Sequence, residues 1–82
     1  MAMLLTTDRD NPLDGTSVGT TLDELQKAVG GYIELVYLPD SKIMVVDEEG
    51  LLKSYTVNQE ASLIAQRHIV GDVVIANQDE IN

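Results

Sequence analysis

Apolar and polar positions along the chain change period several times, and each change marks an element. Met3-Leu4-Leu5-Thr6-Thr7 reads as a short first strand within an otherwise irregular N-terminal segment of residues 1–20. Asp8 to Gly15 is turn-rich, since Asn11-Pro12 and Asp14-Gly15 both favour reversals. Thr21-Leu22-Asp23-Glu24 then has the form of a capping box. The Thr21 hydroxyl can accept from the third helical N–H while Glu24 reaches back, and two acids suit the positive end of a helix dipole. Leu22, Leu25, Ala28 and Val29 recur at helical spacing, and Gly30-Gly31 supplies a left-handed stop, so the pattern predicts a helix over 22–29.

Beyond Gly31 the pattern is that of strands. Tyr32 to Leu38 and Lys42 to Asp47 are rich in β-branched and aromatic residues, and Pro39-Asp40-Ser41 between them predicts an antiparallel hairpin. Glu48-Glu49-Gly50 forms the next reversal, and Leu51 to Val57 reads as a shorter strand. Asn58 is a good cap for a second helix from Gln59 to about Arg67, with Ala61, Ile64, Ala65 and His68 on one face. Ile69 to Ala76 reads as a last strand interrupted at Gly71-Asp72, and residues 77–82 as a polar tail. The expected fold is α+β: a small antiparallel or mixed sheet of about four strands with two short helices, in one small domain over 1–82.

The strands alternate poorly. Glu34 is the one charge in Tyr32–Leu38, and Ile43–Val46 and Val73–Ala76 have none, which indicates burial on both faces of the sheet. If two helices of eight or nine residues share one face, the other needs a cover. An identical chain is the expected source, hence a homo-oligomer; the N-terminal segment folding over that face is the alternative. Each fully buried aliphatic side chain is worth about 1.5–3 kcal/mol, so leaving several wet would erode a marginal total.

Composition narrows the chemistry. The chain has no cysteine and a single histidine, which excludes disulfides, thiolate metal sites and zinc sites built from several histidines. Fourteen acidic residues against five basic ones give a net charge of −9, a balance that argues against binding duplex DNA through its phosphates. No apolar run reaches the roughly 18 residues needed to cross a bilayer, and Met1-Ala2-Met3-Leu4-Leu5 is too short for a signal peptide; a soluble cytoplasmic protein is expected.

Few side chains carry a chemical motif. Asp8, Asp10 and Asp14 superficially resemble a calcium loop, but Leu13 and Gly19 stand where that loop needs glycine and glutamate. Asp47-Glu48-Glu49 suits a charged turn better than a cation site, because neighbouring strand residues point to opposite faces. His68 has no nucleophile to serve, and no phosphate-binding glycine loop is present, so no enzyme, metal or cofactor is expected. Lys53, Tyr55, Asn58, Gln59 and Arg67 cluster around one strand-to-helix junction. A helix N-terminus there can receive an anion, with Lys53 or Arg67 on phosphate and Tyr55 stacked on a base. Tyr32, Tyr37 and Tyr55 can equally be core and interface filler in a chain without phenylalanine or tryptophan.

Residues 22–76 resemble a family of small domains of unknown function encoded mainly by bacteriophages and mobile elements. The resemblance rests on Val29-Gly30-Gly31-Tyr32-Ile33-Glu34, Val46-Asp47-Glu48-Glu49-Gly50-Leu51, Val57-Asn58-Gln59-Glu60-Ala61 and Ile69-Val70-Gly71-Asp72-Val73-Val74-Ile75. Family members often carry a proline-containing segment where this chain has Thr56-Val57. The resemblance implies a phage accessory protein, and some small phage proteins of this general kind look like oligomeric sponges for nucleotide signals of bacterial defence. The expected function is therefore a non-enzymatic, homo-oligomeric module sequestering a cyclic nucleotide. The alternative is an acidic inhibitor that occupies a host nucleic-acid-handling protein in place of DNA, which the −9 charge favours.

Overall fold

The computed structural model describes residues 2–81. In chain order the elements are β1 (Ala2–Leu5), β2 (Ser17–Val18), α1 (Leu22–Val29), β3 (Ile33–Leu38), β4 (Lys42–Asp47), α2 (Gln59–Ala65) and β5 (Val73–Asn77), followed by a 3-10 turn at Gln78–Glu80. The strands form one antiparallel sheet in the order β2-β1-β5-β4-β3. The α+β class holds; the expected short first strand is present as β1, and the N-terminal stretch adds β2 where irregular chain was expected. That stretch is held firmly: Leu4 N–H donates to the Thr16 carbonyl, Gly15 N–H to the Leu4 carbonyl, and Thr6 N–H to Asp14 Oδ1 at 2.8 Å.

Local chemistry sets α1. The Thr21 hydroxyl oxygen accepts from Glu24 N–H at 3.2 Å, and its proton goes to Glu24 Oε1 at 2.7 Å. Gly30 closes the helix at φ 92°, donating to the Gln26 carbonyl at 2.8 Å. The β3–β4 hairpin follows the expected boundaries closely, turning through Asp40 and Ser41 at φ 62° and 59°.

The helices lie on opposite faces of the sheet. Ile43, Val45, Val74, Ala76 and Leu4 pack with Leu25 and Val29 of α1, while Met44, Val46, Val36, Val73 and Leu5 pack with Ala61 of α2 and Ile69. Successive strand residues face opposite ways, so these are the two sides of one sheet. This removes the premise that both helices share a face and leave the other bare. Cover on the α2 side is thin, however: Ala61 is that helix's one buried residue.

Three further expectations are corrected. Residues 51–57 form turns with a single β-bridge, Val57 to Val70, in place of a strand, because Leu52 and Lys53 N–H groups fold back onto the Glu49 carbonyl. α2 stops at Ala65, where Gln66 turns left-handed at φ 55°, so Ile64 and His68 are exposed and do not join Ala61. The C-terminal stretch is not a loose polar tail through Ile81. Asn77 belongs to β5 and accepts from Lys42 Nζ at 2.6 Å, and Ile81 packs on the α1-side core; Asn82 lies outside the described residues.

Candidate functional site

Asp47 ends the inward row Ile43-Val45-Asp47 of β4, beneath the C-terminal end of α1. Its side chain is 1% exposed, and a carboxylate so buried must be compensated. Lys53 Nζ and the Tyr55 hydroxyl both donate to Oδ2 at 2.9 Å, and Glu49 N–H donates to Oδ1 at 2.9 Å. Lys53 Nζ also reaches the Gly30 carbonyl at 3.2 Å, placing a cation at the negative end of α1. Burial pushes the Asp47 carboxyl up, but the bonds from Lys53, Glu49 and Tyr55 outweigh it and leave the group below its ordinary value. The bond to Asp47 raises both the Lys53 ammonium and the Tyr55 phenol.

Glycines make this centre fit. A Cβ on Gly71, whose φ is 79°, would lie 2.6 Å from the Tyr55 ring, and one on Gly30 would lie 2.9 Å from its hydroxyl. A Cβ on Gly31 would fall 2.5 Å from Lys53 Nζ, and one on Gly50 3.1 Å from Val70. The Gly30-Gly31, Asp47-to-Gly50 and Gly71 segments, far apart in sequence, thus converge on Tyr55 and Lys53.

The five residues singled out as ligand contacts do not form one site. Lys53 and Tyr55 are joined through Asp47. Asn58 is buried and spent on the fold: its amide donates to the Leu5 and Gly71 carbonyls at 3.1 and 2.9 Å, while its Oδ1 accepts from Ala61 N–H at 3.1 Å. It is corrected from ligand contact to structural clamp. Gln59 and Arg67 are exposed on a separate open groove of about 510 Å³ with Val57 and Leu63. Glu48 and Glu49 are exposed, and no metal-holding group of three acidic, histidine or cysteine side chains exists among the described residues.

Beside the Asp47 centre is a cleft of about 370 Å³, bordered by Lys27, Gly30, Tyr55, Thr56, Thr7 and Asp72. Thr7 N–H donates to Asp72 Oδ1 at 3.1 Å, tying β1's exit to β5's entry on its rim. Sequence reasoning missed Lys27 and Asp72 because nothing local to either signals the cleft; it arises where three distant segments meet. Among the described residues no helix is long and apolar enough to cross a membrane.

Over residues 1–82 the chain matches the family described as Domain of unknown function (DUF3846). The Trithorax group protein osa of Drosophila yakuba is 35% identical over 63 residues, 72% of this chain and 18% of that protein. The osa protein of Drosophila melanogaster shows the same 35% identity, with this chain spanning 2% of its length. No solved structure matches.

Proposed function

The chain belongs to the DUF3846 family of domains of unknown function, and we propose that it is a non-enzymatic binding module whose working surface is its acidic exterior. In this reading it is an accessory protein of the kind phages and mobile elements encode, and it occupies the basic face of a host nucleic-acid-handling protein. The observation carrying this is where the charges go. Of five basic side chains, Lys53 is committed to Asp47 and Lys42 to Asn77, while Asp23, Glu24, Glu34, Asp40, Glu48, Glu49, Glu60 and Asp79 are exposed. A surface so biased attracts cationic partners and repels anionic ones. The buried carboxylate, whose oxygens already accept three bonds, supports a structural rather than a catalytic part for Asp47.

The test is displacement of labelled duplex DNA from a panel of host DNA-binding proteins. Competition by this chain that weakens steeply as salt rises supports the reading. Absence of displacement at low salt from every member of the panel refutes it.

Nucleotide sequestration is a second reading, favoured by the cleft that sets Lys27 beside Tyr55. Thermal shift with cyclic di- and trinucleotides separates the two. A ligand at about 100 times its dissociation constant adds about 2.7 kcal/mol, readily seen in a small domain.

A further inference from the structure

β3 is an edge strand of six residues, and among the described residues no strand pairs with its outer side. Its register with β4 pairs Glu34 with Val46, Val36 with Met44 and Leu38 with Lys42, and Glu48 N–H donates to the Tyr32 carbonyl. The even-numbered backbone groups therefore point toward β4. Those of Ile33, Leu35 and Tyr37 point out of the sheet, where no bond is made to them among the described residues. Of the usual defences of an edge one charge, Glu34, is present; no proline, lysine or bulge interrupts 33–38, and the register is continuous. The opposite edge, β2, is only two residues long.

We propose that this edge pairs antiparallel with the same edge of a second copy, joining two five-stranded sheets into one across a two-fold axis at Leu35. The strand is self-complementary in that register. Leu35 lies opposite the partner's Leu35, and Ile33 opposite the partner's Tyr37, so each outward residue exchanges both backbone bonds. On the α1 face the pairing covers Tyr37, which is 69% exposed, together with the half-buried Ile33 and Leu35. On the α2 face Glu34 lies opposite the partner's Val36, so no like charges are directly opposed. A second copy is the occupant because the exposed apolar residues and the free backbone groups repeat symmetrically about one residue. The inference does not depend on the acidic partner surface, and either can fail alone.

Sedimentation equilibrium and cysteine cross-linking test it, the latter aided by a chain without native cysteine. The wild type is expected to be a concentration-dependent dimer. Tyr37→Pro removes one outward N–H without touching the β4 ladder, and is expected to raise the dimer dissociation constant by about tenfold or more, about 1.4 kcal/mol per decade. Directly opposed residues of such a pair stand about 5.5 Å apart at Cα, within disulfide reach. A mixture of Ile33→Cys and Tyr37→Cys chains is therefore expected to cross-link as mixed dimers in preference to like pairs. A monomer at every concentration up to the millimolar range overturns the proposal. So does a dimer insensitive to Tyr37→Pro whose circular dichroism is unchanged, or cross-linking confined to like pairs.

Discussion

Asn58 shows how one buried polar side chain sets several segments at once. Its amide satisfies carbonyls from β1 and from the turn before β5, and its oxygen caps α2. Asn58→Ala removes the cap, worth about 1 kcal/mol, and takes a side-chain donor from each of two buried carbonyls, so a loss of about 2–4 kcal/mol is expected in urea unfolding. Asp47 is expected to act through pH. Its carboxyl titrates below its ordinary value of 3.8, so its contribution is present above about pH 4 and is lost as pH falls through the folded value. Asp47→Asn should therefore flatten the acid limb of stability while lowering stability at neutral pH. For Lys53 and Tyr55 the sign is opposite: both values are raised, so their contribution holds below about pH 10 and fades as pH climbs past it. Tyr55→Phe keeps the ring against its glycines and loses the bond to Asp47. It should lower the urea midpoint with an unchanged slope, and a matching loss in the Asp47→Asn background would show that the two do not act through this bond.

Elements built from local signals were legible in the sequence, and those built by distant contacts were not. The Thr21 cap and Gly30 stop fix α1 within a few residues of each other, and the β3–β4 hairpin is bounded by its own turn. Leu51 to Val57 reads as a shorter strand after the Gly50 reversal, and Tyr55, Thr56 and Val57 are residue types that strands favour. The chain there obeys Asp47 instead, which draws Lys53 and Tyr55 inward and forces Ser54 to φ 57°. The same remote pull explains the site: Lys53 and Tyr55 stand together because both donate to a carboxylate from β4. The hairpin turn gives a clean prediction of its own. Asp40 and Ser41 hold the two left-handed conformations that a type I′ turn requires, and serine bears a steric cost there that glycine does not. Ser41→Gly is expected to stabilise by about 0.5–1 kcal/mol, less the entropy glycine gains when unfolded, as read by thermal and urea melts. A lower melting temperature would mean that the serine side chain supplies more than this turn geometry suggests.

Across the whole molecule, the charge on which the proposed basic partner depends also works against the chain's own folding. The Cα trace extends about 30 × 24 × 24 Å, and at 0.01 M salt the screening length is about 30 Å, so every carboxylate feels nearly every other. At 1 M that length falls to about 3 Å, which leaves only contacts such as Lys53–Asp47, and burial of Asp47 shields that pair from screening. Added sodium chloride should therefore stabilise the fold. Relief of self-repulsion on the order of 1 kcal/mol would raise the melting temperature by about 4–8 °C for a domain of this size. The same screening should strengthen any pairing of two chains of charge −9 and weaken attachment to a basic protein, because repulsion governs the first and attraction the second. Melting curves and DNA-displacement assays run over one salt series read both signs. A melting temperature that falls with salt would show that attraction between surface charges, rather than their excess of one sign, dominates this exterior.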